Sequence, residues 1–523
     1  MVSTYSAFAN HAHVGYHGLD MSVEIVNEEI KSVGSHRVFP LAYGNEEETG
    51  LMDTVSGVWD EPYYFCENLS RYIPKDIIRH VGYMPTLDQR PKRENIWTEG
   101  GFRVYPGGVA TGENTNFERA TPEVKTLADF VRYVRGSELL SEKMIGAYVT
   151  DCSARLERPV LARQHRRTID SHQDRKACHD NFAIPRGSRT SGTKLPSQAL
   201  AYLSYAPLID GAGFVDIDSV FLSQKIGGLH EVEGYGYFGR MYRYSHHEGT
   251  PRLEVGCKDI NISDYAVWMR AGVMALVMGM AGTDLVTKLP SVSEFRAIQQ
   301  AQAVNHLGLR LDGTISASME QVAGVDFLHK LAELSLTELS WYVEQIPDEM
   351  AKVATELYSL ADDLKKVFAG TETISLVADR LDWAAKFERI LRGIDRGTNQ
   401  GKQRSLTDVV SRYHDLDYDY KGYHAEDGEL KPIIKGYGYR LRDKGKFKGE
   451  KPVYIAETLT NPPRGTRAAA RTELMRGYRV NTIEWDEVQV TDLEHLVTVS
   501  LPNVLDQLEE ENYHELQRLK PLS

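Results

Sequence analysis

The sequence predicts an α+β fold in which strands with charged faces precede a helix-rich second half. Over 252–258 apolar residues alternate with Arg, Glu, Gly and Lys, and a period of two is typical of a strand with one buried face. Ser263 can cap the mostly apolar run 265–280, which predicts a buried helix directly after this strand. Further along, 319–345 and 374–392 carry apolar residues at helical spacing. A strand that presents charged side chains and leads into a buried helix suits a functional site, although a solvated strand face fits the same spacing.

The composition is that of an acidic globular protein. The chain has 523 residues, a formal net charge of −13 and a hydrophobic fraction of 41%. This length allows one large core and an appended domain, and the negative charge argues against a nucleic-acid-binding protein. No apolar run reaches the ~18 residues of a membrane-spanning helix, and the first residues lack the pattern of a signal peptide. The four cysteines have no metal-binding spacing and indicate reduced thiols, so we expect a cytoplasmic protein.

Two acidic stretches precede residue 100. Over 19–25 apolar residues alternate with polar ones, among them Asp20 and Ser22, which predicts a strand with an acidic face. A second acidic cluster, at 45–48, lies in a region whose secondary structure the sequence does not indicate.

Three glutamates, Glu113, Glu118 and Glu123, lie close together in the sequence. Carboxylate oxygens are ligands that Mg²⁺ prefers, and a nearby carboxylate can accept a proton from an attacking amine or water. A solvated acidic loop would also account for these residues when they are considered alone.

Residues 178–182 are Cys-His-Asp-Asn-Phe. Alternation along a strand would place Cys178 and His179 on opposite faces, so a thiol enzyme that pairs them is not expected.

The C-terminal part begins with a basic helix. Thr466 can cap a helix on which Arg467 and Arg471 lie one turn apart, an arrangement that suits a nucleotide or an acidic segment. A strand at 482–490 and an acidic helix at 502–519 are predicted to follow.

These segments together resemble the Pup ligase and depupylase family, a branch of the glutamine synthetase-like carboxylate–amine ligases. Residues 252–264 are similar to the family strand Arg-Leu-His-Val-Ile-Val-Gly-Asp and the Asn-x-Ser after it, with Glu254 in place of the family histidine. Further similar motifs lie at 113–123, 167–182 and 461–471. The resemblance implies a curved antiparallel sheet backed by helices in a catalytic domain over 1–455, and a small C-terminal domain over 456–523.

The same resemblance implies roles for individual residues. Glu113 falls on the family's catalytic Asp and is the expected base. The expected metal ligands are Asp20, Glu118, Glu123, Glu254 and His179. The arginines expected on the nucleotide side are Arg243, for which Arg240 is an alternative, Arg467 and Arg471. The family motif Gly-Ile-Glu-Thr-Glu carries two N-terminal carboxylates. Ser22 stands in the place of the second one, and this departure removes one carboxylate from the expected metal site.

The resemblance leaves three functions open. The first is an ATP- and Mg²⁺-dependent ligase that phosphorylates a carboxylate, expected to be the C-terminal Glu of a small Pup-like modifier, and joins it to a lysine amine of a target protein. The second is a depupylase-type amide hydrolase with nucleotide as cofactor, which the length of 26–100 favours. The third is a non-catalytic relative that binds nucleotide or modifier, which Ser22 favours. We expect the ligase first, with a link to a proteasome system and without nucleic-acid or membrane partners.

Overall fold

The computed structural model describes most of the chain between residues 38 and 501. The described ranges are 38–53, 63–84, 93–107, 116–165, 178–185, 194–216, 219–229, 231–233, 240–247, 250–261, 263–343, 346–398, 418–426, 429–432, 452–464, 466–483, 487–492 and 495–501. The predicted strand at 19–25 and the predicted helix at 502–519 lie outside them.

Strands of the first 260 residues form the centre of the fold. They are β1 (Ala42–Asp53), β2 (Ile78–Met84), β3 (Arg93–Thr98), β4 (Arg103–Pro106), β5 (Asn116–Ala120), β6 (Leu161–His165), β7 (Cys178–Ala183), β8 (Phe214–Asp216), β9 (Ser219–Phe221), β10 (Glu231–Glu233), β11 (Arg240–His247) and β12 (Thr250–Lys258). Later strands are β13 (His306–Leu309), β14 (Ile315–Ser316), β15 (Tyr418–Glu426), β16 (Glu429–Pro432), β17 (Arg479–Ile483), β18 (Glu487–Asp492) and β19 (His495–Ser500).

Most of the strands in the first 260 residues belong to one twelve-stranded sheet, which also includes β15 and β16. Its main path is β10–β11–β12–β7–β1–β5–β4–β3–β2, with β6 beside β1 and the hairpin β15–β16 beside β6. Its pairs are antiparallel apart from β10 and β11, which run parallel. Long β1 is therefore central, with β5 on one side and β7 on the other. Two smaller sheets are β14–β13–β9–β8 and β17–β18–β19.

Helices cover this sheet and fill most of the second half. The described α-helices are α1 (Tyr63–Glu67), α2 (Leu69–Tyr72), α3 (Leu127–Leu156), α4 (Ser197–Tyr205), α5 (Pro207–Asp210), α6 (Asp264–Ala281), α7 (Glu294–Asn305), α8 (Met319–Thr337), α9 (Asp348–Phe368), α10 (Asp382–Thr398), α11 (Pro452–Glu457) and α12 (Arg467–Gly477). The α+β prediction is confirmed. No described helix is long and apolar enough to cross a membrane.

The strand-to-helix unit β12–α6 confirms the prediction made from its sequence. Ser263 caps α6 by accepting a hydrogen bond from the Ala266 amide at 3.1 Å. Every residue of α6 is buried, because the helix lies between the sheet and other helices. Gly272 and Gly279 allow this packing, since a β-carbon there would lie 2.5 Å from Val353 and 2.4 Å from Phe39.

The C-terminal residues form a small core of their own beside the large sheet. Side chains of α12 and of β17–β18 pack against Trp97 of β3. The single strand predicted at 482–490 is wrong, because β17 and β18 pair antiparallel. Ile483 and Val488 both face this small core, so the chain must reverse between them. The predicted domain boundary at 455/456 stays a prediction.

Candidate functional site

Alternation along β1 separates two sets of polar residues. Glu46 lies opposite His179 of β7, and Glu48 lies opposite Glu118 of β5. Residues directly opposite in antiparallel strands share a face of the sheet. One face therefore carries the carboxylates of Glu46, Glu48 and Glu118 together with the His179 imidazole. Glu47 points to the other face, as do the residues at every second position from it along β1.

Glu254 of β12 joins this face from the far side of β7, where it lies opposite Asn181. The imidazole of His179 is central to the group. Its Nδ1 lies 3.8 Å from Glu46 Oε2 and 3.9 Å from Glu254 Oε1, and its Nε2 lies 4.0 Å from Glu48 Oε1. Three of the predicted site residues, Glu118, His179 and Glu254, are thus brought together.

Crowded negative charge defines the electrostatics of the group. Burial and the charges of Glu48 and Glu46 raise the pKa of Glu118 to about 7. The pKa of Glu46 lies below its ordinary value, because its burial is outweighed by the nearby His179 imidazole and by the charge of Arg252. The pKa of His179 is raised: its burial is outweighed by the surrounding glutamates.

The donor set fits a hard divalent cation. Glu46, Glu48 and Glu118 offer carboxylate oxygens and His179 offers an imidazole, which together suit Mg²⁺ or Mn²⁺. As the side chains lie, no group of three or more His, Cys, Asp or Glu residues in the described ranges meets in metal-binding geometry. Small side-chain rotations around His179 would be needed to close a coordination shell.

Glu254 has a different environment, because three guanidinium groups converge on its carboxylate. Arg243 Nη2 and Arg252 Nη2 each donate to Oε2 at 2.8 Å, and Arg240 Nη2 donates to Oε1. Despite burial, His179 and these arginines hold the pKa of Glu254 far below its usual range. Arg243, predicted on the nucleotide side, is thus fixed beside the carboxylate group.

Glu123 follows β5 and also binds arginines. Arg467 Nη2 lies 3.0 Å from its Oε1, and Arg471 Nη2 donates to its Oε2 at 2.8 Å. Despite burial, the two arginines lower the pKa of Glu123 to about 2. Arg471 is itself buried and stacks on Trp97 at 4.9 Å. The predicted metal ligand Glu123 is therefore paired with the two predicted nucleotide arginines, and the predicted roles of all three residues stay predictions.

A pocket of about 630 Å³, including its open mouth, connects these two groups. Glu46 and Arg252 line it from the sheet, and Glu123 and Arg467 line it from the side of α12. Gly44 and Asn181 also line it, and the missing side chain at Gly44 leaves room above Asn181. Because both carboxylates and guanidinium groups line this pocket, it offers partners for the charged groups of a ligand.

The opposite face of the sheet holds a buried polar layer that supports the site. Arg119 pairs with Glu47 at 2.8 Å, and Arg270 of α6 pairs with Asp180 at 3.0 Å. Cys178 lies in this layer, fully buried, and burial raises its pKa well above the usual value. The prediction that Cys178 and the neighbouring histidine face opposite ways is confirmed.

The sequence analysis missed Glu46 and Glu48. A signal was available, because Gly44-x-Glu46-x-Glu48 repeats the spacing of the family motif Gly-Ile-Glu-Thr-Glu. Asp20 and Glu113, the predicted N-terminal metal ligand and the predicted base, lie outside the described residues. Tyr105 was also missed: its hydroxyl donates to Glu46 Oε1 at 3.2 Å from the neighbouring strand β4.

Comparison with known families gives a match over most of the chain. The model of the family described as Pup-ligase protein matches residues 67–489. Among curated proteins, the Pup–protein ligase of Kineococcus radiotolerans is 24% identical over 427 residues, which is 77% of this chain and 85% of that protein. The Pup–protein ligase of Acidimicrobium ferrooxidans is 24% identical over 477 residues, 86% of this chain and 92% of that protein.

Two solved structures share the fold. The complex between the prokaryotic ubiquitin-like protein Pup and its ligase PafA aligns with a TM-score of 0.66 at 19% identity, covering 92% of this chain and 95% of that one. The Pup ligase PafA in complex with ADP aligns with a TM-score of 0.57 at 19% identity, covering 82% and 90%. The antiparallel sheet backed by helices that was expected from the sequence is present, and the likeness to these two structures shows that they share its fold.

Proposed function

The chain belongs to the Pup-ligase protein family, and we propose that it is an ATP- and Mg²⁺-dependent ligase. It would phosphorylate a carboxylate of a small Pup-type modifier and join it to a lysine amine of a target protein. The observation that carries the proposal is the shared face of Glu46, Glu48, Glu118 and His179 beside a pocket lined by arginine. Phosphorylation of a carboxylate and its transfer to an amine need a metal, an anion site and a base in one place.

Each group on this face has a part in that chemistry. Glu46, Glu48, Glu118 and His179 would hold the metal. A bound Mg²⁺ would supply positive charge that offsets the charge of the phosphate groups during transfer. Arg252, which lines the pocket, would bind anionic oxygens of the nucleotide or of the activated carboxylate.

Arg467 and Glu113 have the remaining roles in the proposed chemistry. Arg467 would close the same pocket from α12, where Glu123 fixes its orientation. Glu113, in register with the family base, would accept the proton of the attacking amine.

The ligase direction is preferred over the two alternatives. The curated relatives named above are Pup–protein ligases, which supports synthesis over cleavage. The non-catalytic alternative depended on Ser22 in place of a carboxylate. Glu46 and Glu48 of β1 supply two carboxylates at the family spacing, so that argument no longer carries weight.

The cellular setting is part of the proposal. Family membership supports a Pup-like modifier as partner and, through it, a link to a proteasome system. Cys66, Cys152, Cys178 and Cys257 are all buried and none forms a disulfide, which supports a reducing compartment and hence the cytoplasm.

The test is stoichiometric. The protein is incubated with Mg·ATP, a modifier peptide that ends in Glu and a lysine-bearing acceptor, and ADP and conjugate are counted together. A ligase releases ADP in proportion to conjugate, whereas cleavage of a preformed conjugate with ADP and without ATP loss would make it a hydrolase. Glu118→Gln should abolish conjugation, and Glu372→Gln, an exposed carboxylate, is the matched control.

A further inference from the structure

Three arginines from two neighbouring strands meet at one buried carboxylate. The side chain of Glu254 is 2% exposed, and both of its oxygens accept hydrogen bonds from guanidinium groups. Arg240 and Arg243 come from β11, and Arg252 comes from β12, two residues before the carboxylate. Because β11 and β12 pair with Arg243 directly opposite Glu254, the cluster is fixed by the register of the sheet.

The cluster brings three positive charges to one carboxylate. Arginine remains protonated at any pH of interest, and the charge of Arg252 also acts on Glu46. The side chains of Arg243 and Arg252 are 30% and 21% exposed, so their charge faces outward from the buried carboxylate. Arg252 also lines the pocket beside Glu46.

This environment differs from that of the other glutamates on the same face. Glu48 and Glu118 lie opposite each other, and Glu118 interacts with Glu48, Glu46, the Tyr105 hydroxyl and His179. At Glu254 both carboxylate oxygens already accept hydrogen bonds from arginine donors. A divalent cation would have to displace guanidinium groups and remain beside their charges, which is unfavourable at short distance.

We propose that Glu254 is a positioning residue that holds Arg240, Arg243 and Arg252 together as a binding site for a phosphate group, and that it is not a ligand of the metal. The inference rests on the proposed function and replaces the metal-ligand role expected from the sequence. Guanidinium groups held in advance by a buried counter-ion bind an oxyanion without first being ordered. The neighbouring carboxylates then hold the metal, and the arginines hold phosphate oxygens on the side of β11 and β12.

The first experiment measures metal binding with charge conserved. Glu254→Asp retracts the carboxylate by one methylene but keeps its charge, and the flexible arginines can follow it. Mn²⁺ affinity, measured by electron paramagnetic resonance on the full chain, should stay within about threefold of the wild type. Glu118→Asp is the matched control and should weaken Mn²⁺ binding by more than about tenfold, because small divalent cations demand near-ideal ligand geometry. An equal loss in Glu254→Asp and Glu118→Asp would overturn the proposal.

The second experiment measures anion binding without metal. Inorganic phosphate is titrated calorimetrically into the full chain after treatment with a chelator. The wild type should bind it, and Arg243→Gln or Arg252→Gln should weaken binding about tenfold or more, the loss expected for one charge-assisted hydrogen bond. Neither variant should weaken Mn²⁺ binding, since each removes a positive charge near the cation.

Both experiments remain informative if ligase activity is absent, because neither uses the modifier or ATP turnover. If Arg252→Gln fails to fold, phosphate titrations of the wild type and of Arg243→Gln still decide the question, because the Arg243 side chain is partly exposed. Absence of phosphate binding by the metal-free wild type, or unchanged phosphate affinity in Arg243→Gln, would overturn the proposal.

Discussion

Glu48 on β1 and Glu118 on β5 lie directly opposite each other in the register of the central sheet. Like charges at such positions destabilise a sheet, and the raised pKa of Glu118, about 7, reflects this repulsion together with burial. A fold that keeps two half-buried carboxylates together needs a cation between them or accepts a loss of stability. The pair is therefore the part of the site most directly tied to metal binding.

Glu48→Gln and Glu118→Gln should each lower the affinity for Mg·ATP by more than about tenfold, since each removes an anionic ligand. The metal-free variants should unfold at the same temperature as the wild type or higher, because the repulsion between the carboxylates is relieved. Calorimetric titration and thermal unfolding measure the two effects.

Glu372→Gln, a substitution at an exposed site, should change neither quantity. Unchanged Mg·ATP affinity in Glu118→Gln would remove this residue from the metal site. A lowered unfolding temperature in both glutamine variants would mean that these carboxylates stabilise the fold.

Local sequence patterns were sufficient to predict individual strands and helices, but not to predict which of them lie next to one another. The alternation before Ser263 and the apolar run after it define β12 and α6, because side-chain period and capping are local properties. Which acidic stretch lies beside β5 and β7 is decided by strand register, and a slip of one residue turns every side chain to the other face. The stretch 19–25 alternates, whereas the acidic stretch 45–48 shows no pattern that indicates a strand, so the sequence alone did not select Glu46 and Glu48.

Long-range pairing also decided the environment of the predicted residues. Glu123 and Arg471 are 348 positions apart in the chain, and no local pattern indicates that they form a pair. Similarly, the three arginines around Glu254 converge only when β11 and β12 are paired. The family resemblance selected Glu118, His179 and Glu254, which the sheet brings to one face, whereas their partners required the folded structure.

Arg270 supports the site from behind and should be important for stability. It is fully buried and contacts Asp180 at 3.0 Å, Asn261 Oδ1 at 3.1 Å and the Asp259 carbonyl at 3.2 Å. Arg270→Met leaves the carboxylate of Asp180 buried without its partner, and loss of one member of a buried pair costs about 3–5 kcal/mol. Denaturant unfolding should show a loss of this size.

The double variant Asp180→Asn/Arg270→Met tests whether the loss comes from this pair. It should recover part of the stability, because the uncompensated charge is gone. A double variant as unstable as the sum of the two single variants would assign the effect of Arg270 to its other contacts.

Glu113→Gln tests the predicted base, which lies outside the described residues. The substitution keeps the shape of the side chain and removes its ability to accept a proton. Turnover should fall about a hundred- to ten-thousandfold, the usual contribution of one positioned base. Mg·ATP binding should be unchanged, because the carboxylates of β1 and β5 are intact.

The outcome separates three roles for Glu113. Near-normal conjugation rates would show that it is a loop carboxylate without a part in the chemistry. Loss of Mg·ATP binding along with turnover would make it a metal ligand.

The ion pairs of Glu123 should make the attachment of α12 sensitive to acid. The pKa of Glu123 is about 2 in the folded protein, below its ordinary value of 4.5. A lowered folded-state pKa contributes stability that is fully present above the unfolded value and is lost as the pH falls through the folded value. The contribution is on the order of 3 kcal/mol at neutral pH, at 1.36 kcal/mol per pKa unit.

Comparison with Glu123→Gln separates the stability contributed by the Glu123 ion pairs from the effects of general acid unfolding. The difference in unfolding free energy between wild type and variant should be constant above a pH of about 5.5, fall by about half near pH 3 and vanish below about pH 1. Hydrogen exchange of residues 467–477 should show the same pH dependence, because Arg467 and Arg471 hold α12 through this carboxylate. A difference that does not change between neutral pH and pH 3 would mean that Glu123 stabilises the protein by packing, and that its arginine partners add no charge-dependent stability.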